Sequence, residues 1–277
     1  MKVRIWGTRG STPISAVDCS TYGGNTTCVS VTSRSGIRVV VDSGTGIRDF
    51  GSYLLGHLPI DLHLLYTHYH WDHIQGFPFF VPAFIPGNTI NIYGQTKDDA
   101  CVREIIEQRL MAPPNFPVPM SVMGAQLNFN ELAESGEIEF DENFKVSYLP
   151  LFHPNGVLGF RFEDHGKVFT FLTDIEHSSE TVVDDNPLEL SKDASVVAYD
   201  SQYTPEEYMT RINWGHSTYV AGLKLVQKAN AEKLLMIHHD PSHNDSDLRS
   251  MESDAKLMAK GMKLKVEAAY EGMEFEL

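Results

Sequence analysis

The feature that most constrains this chain is a cluster of histidines that directly follows an apolar segment. His68, His70, Asp72 and His73 lie within six consecutive positions, after the strand-like segment Asp61–Tyr66. Side chains alternate along a strand, so His68 and His70 would point to the same side of an extended backbone. If the chain then turns into a helix, Asp72 and His73 approach the same cavity from another angle.

This cluster has the composition of a metal site. Zinc accepts imidazole nitrogen and carboxylate oxygen at about 2.0–2.2 Å. Hydrolytic sites with two metals place the ions roughly 3.5–4 Å apart, so one segment can supply two ligands to each ion. The alternative is a histidine-rich surface loop without any ligand role. Four ligand-type residues within six positions after a strand favour the metal site.

The net charge of the chain limits its partners. Lys and Arg number 22 against 37 Asp and Glu, which gives a formal charge of -15. Binding of long nucleic acid by counterion release requires clustered basic residues, so this balance argues against such a partner. A small anionic ligand remains compatible with it, because bound metal ions can reverse the local electrostatic field.

The composition predicts a soluble protein of a reducing compartment, and we expect it in the cytoplasm. The chain has 277 residues and is 42% hydrophobic, which suffices for a sizeable core. No apolar run approaches the roughly 18–20 residues of a membrane helix, and the segment Met1–Trp6 alternates like a strand rather than forming a signal-peptide core. Cys19, Cys28 and Cys101 are odd in number and not closely paired, which argues against a disulfide framework.

Short strands followed by late helices predict a layered α/β fold, and no shift in composition divides residues 1–277 into more than a single domain. The predicted strands are Lys2–Gly7, Thr27–Ser33, Ile37–Asp42, Asp61–Tyr66, Ile90–Tyr93, Phe144–Leu149, Val157–Glu163, Val168–Thr173, Ser195–Ala198, Lys233–Ile237 and Leu264–Ala268. The predicted helices are a short one ending at Leu55, then Asp98–Leu110, one that Ser217 caps and that runs to about Asn230, and Asp245–Lys260. The apolar segment Ala112–Met123 contains four prolines, which predicts an extended loop that packs over something or faces a partner.

The pattern His68-x-His70-x-Asp72-His73 resembles the signature of the metallo-β-lactamase superfamily. The surrounding sequence is similar to its ribonuclease Z and phosphodiesterase branch. That similarity is carried by segments 6–11, 22–28, 42–46 and 72–78, and it extends over essentially the whole chain. The resemblance implies a four-layer αββα sandwich.

The resemblance also implies two divalent metal ions, for which we expect zinc; manganese and iron are the alternatives, since the ligands suit all three. In the family's order, His153 would be a later histidine ligand, Asp174 a bridging aspartate and His238 the last histidine, with His239 as the other member of that doublet. The first metal would take His68, His70, His153 and Asp174, and the second would take Asp72, His73, Asp174 and His238. Asp42 resembles a buried carboxylate that orients a ligand; an alternative is a turn-forming aspartate.

Three residues are predicted to be catalytic: Asp72, which is also a ligand, and the pair His216 and Asp200. Trp214–Thr218 resembles the His-Ser-Thr motif of ribonuclease Z, and Tyr199–Ser201 stands where those enzymes have His-Glu-Ala. An aspartate–histidine pair can hold an imidazolium that protonates a leaving oxygen. The alternative for His216 is a residue beside a helix cap with no chemical role.

The resemblance implies hydrolysis of a phosphodiester through a hydroxide bridging two metal ions. Ribonuclease Z grips transfer RNA with a glycine-rich and basic arm, whereas residues 112–131 contain neither Lys nor Arg. Relatives on this branch, including anti-Pycsar proteins, act on cyclic nucleotides and are homodimers. We therefore expect a small cyclic phosphodiester, a cyclic mononucleotide in particular, and a homodimer. The alternatives are 3'-tRNA processing and a thioesterase or lactamase of the same fold.

Overall fold

Two mixed β-sheets of seven strands each form the centre of the computed structural model of the chain, which describes residues 1–177, 183–262 and 264–277. The first sheet has the order β14-β1-β2-β3-β4-β5-β6 and is parallel from β3 to β6. Its strands are β1 (Lys2–Gly7), β2 (Cys28–Thr32), β3 (Arg38–Val41), β4 (Asp61–Leu65), β5 (Thr89–Gln95), β6 (Gln126–Leu132) and β14 (Glu274–Glu276).

The second sheet repeats this plan with the other half of the chain. Its order is β13-β12-β11-β10-β9-β8-β7, antiparallel from β7 to β10 and parallel from β10 to β13. Its strands are β7 (Gly136–Glu139), β8 (Phe144–Leu151), β9 (Val157–Asp164), β10 (Lys167–Leu172), β11 (Val196–Asp200), β12 (Lys233–Ile237) and β13 (Lys265–Ala268).

Helices cover the outer face of each sheet. Those on the first sheet are α1 (Ile47–Leu54), α2 (Trp71–Ile74) and α3 (Val102–Glu104), and a π-helical stretch (Ile105–Leu110) continues α3. Those of the second half are α4 (Asp185–Ser191), α5 (Pro205–Tyr208), α6 (Tyr219–Lys228) and α7 (Asp245–Ala259). Among the described residues, no helix has the length and apolarity needed to span a bilayer.

Three hydrophobic cores separate these layers. In the middle core, valines of β1 to β3 pack against phenylalanines of β8 to β10, so the two sheets bury their inner faces on each other. A second core joins the outer face of the first sheet to α1, and a third joins the outer face of the second sheet to α4, α6 and α7. The predicted four-layer αββα sandwich is thereby confirmed.

Most strands lie where the sequence pattern predicted them. The bounds of Lys2–Gly7 and Lys233–Ile237 agree with the prediction at both ends. Two helix starts are wrong. Asp98 and Asp99 have φ values of 48° and 59°, outside the right-handed helical region, so that helix begins only at Val102. The N-cap of α6 is Thr218 rather than Ser217, and the Thr218 hydroxyl accepts the Ala221 amide at 3.3 Å.

The segment 112–131 is partly a strand, which the sequence prediction missed. Its first part is irregular, as predicted, and Phe116 packs edge to face on Phe79 with ring centroids 5.7 Å apart. From Gln126 onwards the chain joins β5 as β6. Strands β7 and β14 and helices α4 and α5 were not predicted either.

Candidate metal centre

The histidine cluster takes the extended-then-helical conformation that its spacing predicts. His68 and His70 lie on the extended loop after β4, and His70 has φ -62° and ψ 152° at the start of α2. Asp72 and His73 lie in the first turn of α2 and are buried. The four side chains therefore enter one space between the ends of the two sheets.

The second sheet supplies three further residues at the ends of its strands. His153 follows β8, Asp174 follows β10 and His238 follows β12. Asp174 has a φ of 52° and His238 a φ of 64°, in the left-handed region that non-glycine residues seldom occupy. Such backbone conformations concentrate at functional sites, where the surrounding structure holds them.

Asp174 stands between two groups of potential ligands. Its Oδ1 lies 3.8 Å from His68 Nε2 and 3.7 Å from His153 Nε2. His70 Nδ1 completes this first group at 3.2 Å from His153 Nε2. The group His68, His70, His153 and Asp174 can hold one metal ion.

The second group lies on the other carboxylate oxygen of Asp174. Asp174 Oδ2 is 3.0 Å from His73 Nε2 and 3.2 Å from His238 Nε2. Asp72 Oδ2 lies 3.2 Å from His73 Nε2 and 3.3 Å from His238 Nε2. The structure thus brings together both predicted ligand sets, with Asp174 shared between them.

Four of the candidate ligand histidines have Nδ1 engaged by a protein oxygen, and for His68 this is the Thr67 hydroxyl at 3.1 Å. The Nδ1 atoms of His73, His153 and His238 lie 2.7, 2.7 and 2.9 Å from Asp42 Oδ2, Gly215 O and Gln202 Oε1. A donor at Nδ1 leaves Nε2 as the unprotonated atom, which is the tautomer that binds a metal ion. The scaffold therefore orients these rings as ligands.

The chemistry of the donors fits divalent metal ions. His68 Nε2 and His73 Nε2 are buried and have no hydrogen-bond partner, although buried polar atoms are nearly always paired. Both atoms face carboxylate oxygens of Asp174. A cation held between them would satisfy these nitrogens and the carboxylates together.

The geometry separates the two adjacent histidines after β12. His238 enters the ligand group, whereas His239 Nε2 contacts the Ala269 carbonyl at 2.9 Å on the other side of the strand. Burial lowers the pKa of His239 to about 3, so it stays neutral at physiological pH. Of the two candidates left open by the sequence, His238 is the one at the cluster.

Asp42 acts on the cluster through His73, as the resemblance implied. Its carboxylate is fully buried and also accepts hydrogen bonds from the amide and hydroxyl of Thr67, both at 2.9 Å. Burial raises the pKa of Asp42, while the charge of His73 and these hydrogen bonds act against that rise. The carboxylate contacts Thr67 and His73 rather than the backbone that follows Asp42, so these contacts favour the orienting interpretation over the turn-forming one.

The Asp42→Asn variant tests this positioning. The substitution replaces one acceptor oxygen by an NH2 group and removes the negative charge beside His73, so Thr67 and His73 must share a single acceptor oxygen. We expect about 10- to 100-fold weaker metal binding. Competition with a chromogenic chelator measures the metal affinity. The matched control is Asp49→Asn, at an exposed position of α1. Equal affinities in the two variants would show that His73 does not depend on Asp42.

His216 and Asp200 form the predicted pair, and they lie beside the candidate metal ligands. His216 Nδ1 lies 3.0 Å from Asp200 Oδ2, and the His216 ring stacks on His238 at 5.1 Å between centroids. Asp200 is fully buried and accepts the amides of Asp174, Gln202 and Ser217. Although burial alone would raise the pKa of Asp200, the charge and hydrogen bond of His216 lower it below its ordinary value, so Asp200 remains a carboxylate.

Tyr199, the departure from the family motif, turns away from this pair. Its hydroxyl lies 2.7 Å from Ser217 Oγ and 2.8 Å from His177 Nε2. This explains why Ser217 does not cap α6, since its hydroxyl is engaged by Tyr199. Tyr199 is buried and holds the start of α6 against β11.

Sequence reasoning missed the groups that hold the ligands in place. Glu176 is buried and accepts the amides of Asn213 and Gly215 at 2.7 and 2.8 Å, which fixes the loop whose carbonyl faces His153. The Ser11 amide donates to Asp72 Oδ2 at 2.7 Å. Apart from its position two residues after Asp174, Glu176 has no signal in the sequence.

A cavity of about 590 Å³ opens beside the first ligand group. We call it the metal-side cavity; His68 and His70 form part of its wall, together with Trp71, Phe79, Lys97 and Phe116. Its volume is within the range of small-molecule sites.

A metal-dependent hydrolase of an αββα fold is the class that this architecture and the cluster of histidines and aspartates indicate, and comparison with known proteins identifies the family. Residues 37–239 match the family described as "Beta-lactamase superfamily domain". The chain belongs to the metallo-β-lactamase superfamily.

The proteins to which the chain is similar include ribonuclease Z. The chain is 23% identical over 237 residues to ribonuclease Z of Pediococcus pentosaceus, covering 69% of this chain and 74% of that protein. The metallo-β-lactamase fold protein YhfI from Bacillus subtilis superposes with a TM-score of 0.71 at 19% identity, over 100% of this chain and 98% of that one. Human tRNase Z, short form, gives a TM-score of 0.69 at 19% identity, over 100% and 99%.

Proposed function

We propose that this chain is a metal-dependent phosphodiesterase that hydrolyses a small cyclic phosphodiester, namely a cyclic mononucleotide. The observation that carries the proposal is the His216–Asp200 pair, which lies against the shared ligand Asp174, with His216 Nδ1 3.8 Å from Asp174 Oδ1. An acid at this position serves a reaction in which an alkoxide leaves.

Each part of the site has a role in that reaction. Two divalent ions at these ligands would lower the pKa of water and neutralise charge on the phosphoryl oxygens. His70, His153 and the other residues of the two groups would hold these ions on either side of Asp174. Asp200 holds His216 through Nδ1 and orients the ring, so that Nε2 can give a proton to the leaving oxygen.

Size and charge support a small substrate. The metal-side cavity has the volume of a small-molecule site, and a chain of net charge -15 is poorly suited to hold long RNA by its surface. The segment 112–131 also lacks the Lys and Arg that a gripping arm would need.

A substrate panel tests the proposal. We expect the metal-loaded chain to hydrolyse a 3',5'-cyclic mononucleotide faster than 2',3'-cyclic nucleotides and cyclic dinucleotides, as followed by chromatography of the products. His68→Ala should abolish this turnover, whereas His57→Ala at an exposed position should not. Reconstitution of chelator-treated protein with zinc, manganese or iron identifies the active metal.

A second candidate function is 3'-tRNA processing, which the relation to ribonuclease Z favours. Efficient cleavage of precursor tRNA, together with no turnover in the cyclic panel, would replace our proposal. Turnover of a thioester or a lactam alone would replace both with another hydrolytic activity.

We also propose that the chain acts as a homodimer, with the loop Ala112–Met123 near the partner's site. Phe79 and Val122 beside or within this loop are 56% and 52% exposed, a degree of exposure that favours contact with another surface. Sedimentation equilibrium measures the oligomeric state of the wild type and of the Val122→Asp variant, which places a charge on this exposed surface. A monomeric wild type would contradict this proposal.

A further inference from the structure

The metal-side cavity combines an aromatic wall with positive charge in a chain that is otherwise acidic. Trp71, Phe79 and Phe116 supply aromatic rings to its lining, and Lys97 and Arg109 supply cationic groups. Asp98 is the acidic residue that lines it. A ligand that suits this lining has a planar ring and an anionic group.

The aromatic part is open to a ligand. Trp71 is 82% exposed although it lies between the buried cluster residues Asp72 and His68, and it has no aromatic partner among the described residues. Phe79 and Phe116 already pack edge to face. An indole of this exposure offers a π face on which a nucleobase can stack.

The two cations differ in how far the protein neutralises them. Arg109 donates to the Asp98 carbonyl at 3.1 Å and lies 3.9 Å from the Asp98 carboxylate. Lys97 has no ion pair among the residues that the structure describes. Its ammonium instead lies against the turn at Gly156, where an added Cβ would be 3.0 Å from Lys97 Nζ.

That turn connects Lys97 to the metal ligands. The Gly156 amide donates to the His153 carbonyl at 2.8 Å, so the Lys97 ammonium lies at the side of the cavity next to His153. Trp71 is likewise adjacent in sequence to His70 and Asp72. The uncompensated cation and the open ring are therefore both next to the ligand group.

We propose that the metal-side cavity is a mononucleotide subsite, in which Trp71 stacks on the nucleobase and Lys97 binds a phosphoryl oxygen. This inference rests on the proposed function, since it names the residues that would select a nucleotide among phosphodiesters. Trp71 would distinguish nucleotides from base-free sugar phosphates, and Lys97 would contribute to the binding of both.

Calorimetric titration of the metal-loaded full chain tests this without requiring turnover. The ligands are adenosine 5'-monophosphate and ribose 5-phosphate, which differ by the base. We expect the nucleotide to bind about tenfold more tightly, and Trp71→Ala to remove that difference while Trp71→Phe retains most of it. Metal content measured for each variant shows whether the neighbouring ligands are intact.

The lysine is tested with a charge-matched pair of variants. Lys97→Gln should weaken both ligands by a similar factor of about 3 to 10 and reduce the dependence of binding on salt. Lys145→Gln, whose ammonium pairs with Glu137 at 3.0 Å away from the cavity, should leave both affinities unchanged.

The outcomes distinguish the subsite from the reaction. Equal affinities of the wild type for the two ligands would overturn the subsite, even if cyclic nucleotides are hydrolysed. Tight binding of the nucleotide, lost in Trp71→Ala, would uphold the subsite even if no cyclic nucleotide is turned over. An unchanged nucleotide affinity in Lys97→Gln would remove Lys97 from the proposal.

Discussion

The Asp174→Ala variant should lose at least about 10³-fold in kcat/KM and bind markedly less metal than the wild type. One oxygen of Asp174 faces His68 and His153, and the other faces His73 and His238. Its removal therefore affects both ligand groups at once, whereas loss of any histidine affects one. Several kcal/mol of transition-state stabilisation by metal ions correspond to the expected factor.

Elemental analysis and initial rates on the same preparations measure this effect. Asp254→Ala on the exposed face of α7 is the matched control, and Asp174→Asn keeps the shape while removing the charge. Circular dichroism shows whether each variant is folded. Wild-type metal content and a rate within tenfold of the wild type in Asp174→Ala would exclude Asp174 as the shared ligand.

The second large effect concerns the proton donor. We expect His216→Ala and Asp200→Asn each to lower kcat by about 10² to 10⁴ on a substrate with an alkoxide leaving group. With a p-nitrophenyl ester of the same nucleotide the loss should be within tenfold, because p-nitrophenolate leaves without a proton. The double variant should be no worse than either single variant, since the two side chains act as a unit.

The pH profile gives an independent readout. A residue that donates a proton must be protonated, so the wild-type rate should fall at alkaline pH and His216→Ala should lose that fall. A merely structural role for His216 would lower the rates on both leaving groups equally. That result would remove the His216–Asp200 pair from the proposed mechanism.

The sequence predicted which histidines and aspartates come together in the candidate metal centre, because each is a chemically distinctive residue at the end of a strand that the apolar–polar alternation indicates. It could not decide between His238 and His239, because the choice depends on the left-handed backbone at His238 rather than on residue type. The sequence analysis also missed Gln202, whose side-chain oxygen accepts from His238 Nδ1. A single glutamine belongs to no motif that would indicate such a role.

The unpredicted strands β6 and β7 lie at the edges of their sheets, and they were missed for different reasons. β7 is short and mostly exposed, and Ile138 is its single apolar residue, which is too little to indicate a strand. β6 does alternate, with Leu127 and Phe129 between polar residues, but it directly follows the proline-rich segment. The prolines before β6 also made the segment appear irregular throughout.

The division of the ligands between the sheets has a consequence for protein engineering. The first sheet and its helices carry His68 to His73, while the second carries His153, Asp174 and His238, and the exposed link at 133–135 joins β6 to β7. A chain opened at that link would give two fragments, each holding an incomplete coordination sphere. β14 of the later fragment pairs with β1 of the earlier one. Reassembly of the two fragments would therefore restore this strand pair and the metal centre at the same time.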